Sequence, residues 1–103
     1  MSRPFSYNDE NFTVIGNLLF VHFKYEDEAD SNARLIEIPP AIYDRLLFLT
    51  CDADIVYSKS TTSSGEVPLR VVDYDGKHYF SNAWSLGNAT NRYIFGTFML
   101  KDI

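Results

Sequence analysis

Two histidines, one cysteine and several groups of carboxylates are the residues of this chain that could do chemistry. A zinc site needs three or four His, Cys or carboxylate ligands, and nucleophilic catalysis needs a Ser or Cys beside a base that an acid orients. His22 and His78 each stand in a strand-like segment, with no second histidine or cysteine at a ligand spacing. We interpret both as ordinary strand residues and assign no catalytic residue and no metal site.

Cys51 is the only cysteine, so the chain cannot form an internal disulfide. No Lys or Arg neighbours it in "TCDAD" to favour the thiolate, and we interpret it as a small buried hydrophobic residue. A reducing compartment fits this usage. The first residues, "MSRPFSYNDENF", lack the apolar run of about 7 to 15 residues that a signal peptide needs. The sequence therefore predicts a cytoplasmic protein without a membrane anchor.

Two acidic fragments resemble parts of metal-binding loops. They are "DAD" (52–54) and "DYDG" (73–76), but a calcium loop supplies further oxygen ligands over about twelve residues and ends in a Glu. After Gly76 the chain returns at once to "KHYF", so we reject this interpretation and expect no cofactor. A pair of carboxylates that cleaves sugars leaves no signature in a sequence. An enzyme or a small ligand-binding domain is therefore kept as an alternative, although the prediction is no enzymatic activity.

Acidic residues beside tyrosines are the recurrent pattern. "YEDEAD" (25–30) puts four carboxylates after the apolar run "LLFVHF", and "DYD" (73–75) places one on each side of Tyr74. Tyrosine offers a large contact area with little loss of rotamer entropy, and carboxylates steer a cationic partner. The alternative for residues 25–30 is a solvated acidic turn. The alternative for Tyr74 and Trp84 is a position in the core. The residues predicted to bind a partner are Tyr25, Glu26, Asp27, Glu28, Asp30, Asp73, Tyr74, Asp75 and Trp84.

The charge balance indicates the kind of partner. Nine Lys and Arg against fourteen Asp and Glu give a net charge of -5, and the cations are scattered along the chain. This pattern excludes direct nucleic-acid binding and disfavours an anionic membrane surface. The sequence predicts a small bacterial immunity or inhibitor protein that blocks the active-site cleft of a basic nuclease toxin. The second hypothesis is an anti-defence protein of a phage or mobile element, which mimics DNA or sequesters a ligand.

The elements that position these residues are mostly strands. One domain over residues 1–103 is expected, with 1–11 loosely ordered, because 46% of the residues are hydrophobic and none of the segments is a linker. Gly16-Asn17 suits a type II′ hairpin turn and Asp75-Gly76 a type I′ turn. The last apolar run, "RYIFGTFML", is apolar on both faces, which predicts a central strand.

A single helix is predicted over residues 40–50. Ile42, Leu46 and Leu49 recur at helical spacing after Pro40, which is favourable in a first turn. The predicted fold class is α+β, a mostly antiparallel six- to seven-stranded sheet with one α-helix packed against it.

Overall fold

Strands account for most of the chain in the computed structural model, which describes residues 6–27, 30, 32–59, 65–86 and 91–101. Within these residues, one antiparallel seven-stranded sheet curls into a half-barrel, in the order β1-β2-β7-β4-β5-β6-β3, with one short helix. The elements in chain order are β1 (Phe12–Ile15), β2 (Leu18–Lys24), β3 (Arg34–Glu37), α1 (Pro40–Tyr43), β4 (Thr50–Tyr57), β5 (Gly65–Tyr74), β6 (Lys77–Asn82) and β7 (Arg92–Met99).

The two predicted hairpin turns are present. Gly16 has φ +63° between β1 and β2 while Asn17 is not in the positive-φ region, as a type II′ turn requires. Between β5 and β6 both central residues are left-handed, Asp75 at φ 52° and Gly76 at φ +78°, as in type I′. These local turns set the register of both hairpins.

The last strand is central, as its two apolar faces predict. β7 pairs with β2 on one side and with β4 on the other, so the sheet is joined through the C-terminal strand. Val21 lies opposite Gly96 across the β2–β7 pair. An added Cβ at Gly96 would lie 3.1 Å from the Cys51 Sγ atom, so this position is closely packed.

The core lies on the concave face of the half-barrel. Phe80 of β6 stacks on Phe98 of β7 with ring centroids 4.5 Å apart, and Phe12 of β1 contacts Phe80 at 6.3 Å. The contact between β1 and β6 shows that the sheet is curled, because these strands lie near opposite ends of its order. Each buried aromatic or aliphatic side chain contributes roughly 1.5 to 3 kcal/mol. The core also contains Leu19, Val21, Ile38, Ile42, Val67, Leu69 and Ile94.

The helix is shorter than predicted. It covers only Pro40–Tyr43, and the apolar spacing that predicts a helix to residue 50 is satisfied by another backbone path. Ile42 and Leu46 are buried, but Leu46 forms a bridge with Leu100, and the Leu47 N–H donates to a β7 carbonyl. Pairing with the sheet replaces a helix that no side chain caps. The following residues, Leu47, Phe48 and Leu49, are about half exposed.

The polar head is described from Ser6 onward, so residues 1–5 of the segment predicted to be loosely ordered lie outside the described residues. Within 6–11, the Tyr7 carbonyl accepts a hydrogen bond from the Val14 N–H. The Asp9 carboxylate accepts from the Asn11 and Phe12 N–H groups, each at 2.8 Å. In the described ranges no helix is long and apolar enough to cross a membrane.

Candidate functional site

A buried arginine fixes the two loops at one end of the sheet. Arg92 begins β7 and is 1% exposed, and its guanidinium donates to backbone carbonyls of both loops. Nε lies 3.1 Å from the Tyr25 oxygen and Nη2 2.7 Å from the Asp27 oxygen, both after β2. Nη1 lies 2.9 Å from the Leu86 oxygen, after β6. The backbones of the two loops are thereby held to the same side chain.

A buried amide makes a second connection between these loops. Asn82 ends β6 with no solvent exposure, and its Nδ2 donates to the carbonyls of Asp30 and Trp84, each at 2.8 Å. Its Oδ1 accepts from the Ala33 N–H at 3.2 Å. Hydrogen bonds that involve a charged group are worth about 1.5 to 3 kcal/mol and neutral ones about 1 kcal/mol. We call residues 25–27, 30 and 83–86 the loop platform.

The loop platform displays acidic and aromatic side chains to solvent. Asp27 and Asp30 are exposed, and the Trp84 indole is 53% exposed. Tyr25 is half-buried, with its ring 5.7 Å from the Arg92 Cζ atom, so it faces the base of the platform. The sequence-predicted residues brought together here are Tyr25, Glu26, Asp27, Asp30 and Trp84, whereas Glu28 lies outside the described residues.

Within the described residues, Glu26 is the platform carboxylate that forms a salt bridge. The Lys24 Nζ atom lies 2.7 Å from its Oε1, and the side chains are 46% and 50% exposed. The hydrogen bond that Lys24 donates to Glu26, together with the negative charge of that carboxylate, raises the pKa of Lys24. Asp27 and Asp30 are therefore the residues on which we base the negative charge of the platform.

The structure places the other predicted residues, Asp73, Tyr74 and Asp75, at the opposite end of β6. Tyr74 pairs with Lys77, the first residue of β6. The loop platform begins just after Asn82, the last residue of β6, about 16 Å away along the strand. The tip has contacts within the chain. Asp73 Oδ1 lies 2.5 Å from the Nδ1 atom of His78, and the Arg34 Cζ atom lies 3.6 Å from the centre of the Tyr74 ring. Tyr74 is nonetheless 55% exposed.

The three residues with catalytic potential, His22, His78 and Cys51, have structural contacts. His22 lies 6.3 Å from the Phe95 ring, and His78 stacks on Tyr43 with centroids 3.5 Å apart. Burial raises the pKa of the Cys51 thiol to about 11, so it is protonated at neutral pH. Across the described part of the chain, no group of three His, Cys, Asp or Glu side chains is arranged to hold a metal ion.

A second acidic and aromatic surface lies on the convex face and was missed in the sequence. Asp54 lies opposite Phe95, which is 44% exposed, and Asp52 and Phe20 line the same depression of about 190 Å³. The signal was present in "CDAD", because strand alternation places Asp52 and Asp54 on one face. Their spacing in the sequence had suggested only metal ligands.

Comparison of the chain with protein-family models, with curated proteins and with solved structures finds no match.

Proposed function

We propose that this chain is an acidic binding protein of the immunity or inhibitor type, acting in the cytoplasm on a basic nuclease toxin. The loop platform is its binding surface. The observation that carries the proposal is that two fully buried polar side chains, Arg92 and Asn82, fix the backbone of the loops that display Asp27, Asp30 and Trp84.

Fixed loops favour binding because less conformational entropy is lost when the partner docks. Ordering a flexible side chain or loop at an interface costs about 0.5 to 1.5 kcal/mol for each group immobilised. The carbonyls of Asp27, Asp30 and Trp84 are already hydrogen-bonded in the free chain, so the backbone beneath each displayed side chain is held before docking. The platform is in this sense preorganised.

The displayed side chains suit a cleft that binds phosphates. In our proposal the Asp27 and Asp30 carboxylates accept hydrogen bonds from the Lys and Arg side chains that would otherwise hold the nucleic-acid backbone. Trp84 fills an apolar recess beside them, as tryptophan commonly does at the centre of an interface. With a net charge of -5, the chain also attracts a basic partner from a distance, which raises the association rate.

The 73–75 tip is not included in this binding surface. It lies about 16 Å along β6 from the platform. Asp73 is paired with His78 and the Tyr74 ring is covered by Arg34, so these groups already have partners within the chain. We assign the tip a role in the hairpin and not in docking.

Affinity capture from the native host followed by kinetics tests the proposal. The captured partner is expected to be a basic protein whose nuclease activity falls on adding the purified chain. The double variant Asp27→Asn with Asp30→Asn is expected to slow association about tenfold at low salt and to flatten the salt dependence. Trp84→Ala is expected to speed dissociation about 30-fold, as loss of a hot-spot residue worth about 2 kcal/mol does.

The matched control changes the same charge elsewhere. Asp52→Asn with Asp54→Asn removes two carboxylates from the convex face, and its association rate is expected to stay within about twofold of the wild type. Equal slowing by both double variants would show that only net charge matters, and the platform would lose its assigned role. A captured partner without nuclease activity would refute the toxin assignment.

A further inference from the structure

The half-barrel does not close, and a gap separates its two ends. The sheet order ends with β1 on one side and β3 on the other. β1 pairs with β2 only as far as Val21, so the last residues of β2, up to Lys24, extend beyond it. The seam is the space between this end of β2 and β3.

Backbone groups of Lys24 point into the seam. The Tyr25 N–H donates to the Arg92 oxygen at 3.0 Å, so Tyr25 faces β7. In an antiparallel pair, successive residues direct their N–H and C=O groups to opposite sides. Those of Lys24 therefore point away from β7, on the side where the His22 N–H bonds to Asn11. Among the described residues, no strand continues that pairing to Lys24.

Backbone groups of β3 also point into the seam, from the opposite side. The Ile38 N–H donates to the His78 oxygen at 2.8 Å, so the groups of Glu37 point away from β6 by the same alternation. Within the ranges that the structure describes, β6 is the only strand that pairs with β3. Two strand edges therefore present main-chain donors and acceptors to the seam.

A cavity of about 390 Å³ lies between these edges. Phe23 and Lys24 of β2 line it on one side, and Leu35 and Ile36 of β3 on the other. Phe23 and Leu35 are 7% and 8% exposed, the largest values among the buried core residues. The core is thus closest to solvent at the seam, beneath strand edges that no described strand pairs with.

We propose that the seam binds an extended segment of the partner protein as an added β-strand, next to the loop platform. The partner's identity as a basic protein rests on the proposed function. Strand addition uses main-chain hydrogen bonds for affinity and alternate side chains for specificity. Apolar residues of the segment would contact Phe23 and Leu35, and basic residues would lie near Glu10, which lines the cavity. β3 is four residues long, so it accommodates about 13 Å of extended chain.

A peptide titration observed by NMR tests this binding mode. The probe is acetyl-Lys-Val-Lys-Val-Lys-Val-Lys-amide, and the control peptide has proline in place of the central valine, with the same charge. The probe is expected to shift the amide signals of Lys24, Leu35 and Glu37, and the control peptide is expected to bind at least about fivefold more weakly. A fivefold change corresponds to about 1 kcal/mol, the net value of one backbone hydrogen bond.

Two variants at one position separate main-chain recognition from charge. Lys24→Ala and Lys24→Pro both remove the ammonium group, but only proline removes the N–H that points into the seam. The β2–β7 hydrogen bonds do not use this N–H, so the fold is expected to tolerate proline at this edge. Lys24→Pro is expected to bind the probe at least about fivefold more weakly than Lys24→Ala.

Several results would overturn the proposal. One is equal affinity of both variants together with equal binding of both peptides, which would indicate charge attraction alone. Slow hydrogen exchange of the Lys24 amide in the isolated monomer would show that the edge is already paired within the chain. Dimerisation that Lys24→Pro abolishes would assign the seam to a second copy. Each of these outcomes leaves the loop platform test unaffected, because that test depends on Asp27, Asp30 and Trp84.

Discussion

Replacing Arg92 by methionine tests whether the buried guanidinium holds the loop platform. Methionine keeps most of the side-chain volume but donates no hydrogen bond, so the carbonyls of Tyr25, Asp27 and Leu86 lose a charged donor. Each such bond is worth about 1.5 to 3 kcal/mol, while removing a buried charge recovers part of its desolvation cost. We expect a net loss of about 3 to 5 kcal/mol in the free energy of unfolding.

That loss is a large share of the stability expected for a domain of this size, about 5 to 15 kcal/mol. Urea unfolding at 25 °C measures it. With a slope of about 1.3 kcal/mol per M, the midpoint is expected to fall by roughly 3 M. Amide hydrogen exchange should rise more at Tyr25 and Asp27 than in the β4–β5 pair, because the loops lose their connections first.

A matched arginine on the surface controls for the loss of charge. Arg34→Met removes a guanidinium that covers the Tyr74 ring on an exposed surface, and a cation–π contact of this kind is worth about 0.5 to 1 kcal/mol. The reasoning would be refuted if Arg92→Met were no more destabilising than Arg34→Met. Such a result would mean that water satisfies the three carbonyls and that the loops need no buried donor.

Three further predictions concern the packing of the sheet centre. The pKa of the Cys51 thiol is raised to about 11, so iodoacetamide at pH 8 should alkylate it about 90-fold more slowly than a solvent-exposed thiol whose pKa is 9.0. Equal alkylation rates in the folded and the urea-unfolded chain would contradict this. The same shift means that stability falls as pH rises from about 9 to 11, since only the unfolded thiol ionises there. Gly96→Ala should lower the free energy of unfolding by about 1 kcal/mol, because the added Cβ meets the Cys51 Sγ atom, and adding Cys51→Ala should relieve that loss. Simple additivity of the two substitutions in a double-mutant cycle would argue against this contact.

The sequence predicted the features of the fold that depend on neighbouring residues. Gly16-Asn17 and Asp75-Gly76 specify their turns through local backbone preference, and the two apolar faces of β7 indicate its central position. The prediction of a helix beyond Tyr43 was wrong, because the apolar spacing of Leu46 also suits a segment that pairs with Leu100. That pairing joins residues far apart in the chain, and hydrophobic periodicity does not report such contacts.

The candidate site was predicted only in part, because it too depends on contacts between residues that are far apart in the chain. The acidic segment 25–30 and Trp84 are recognisable in the sequence, but their proximity depends on the strand order. The role of Arg92 was missed, although a single arginine at the start of an otherwise apolar strand was a signal for a buried cation. A charge that is costly to bury needs compensating acceptors, and here loop carbonyls supply them.

The central position of β7 has a consequence for how the protein is made. Until residues 92–99 leave the ribosome, β2 and β4 have no strand between them, and the Tyr25 and Asp27 carbonyls lack the Arg92 donor. The joining of the β1–β2 pair to the β4-β5-β6-β3 part of the sheet must therefore wait until β7 is translated, and earlier nascent chains expose unpaired apolar strand edges. Nascent chains stalled before residue 92 should depend on chaperones, whereas chains in which residues 92–99 have left the ribosome should not.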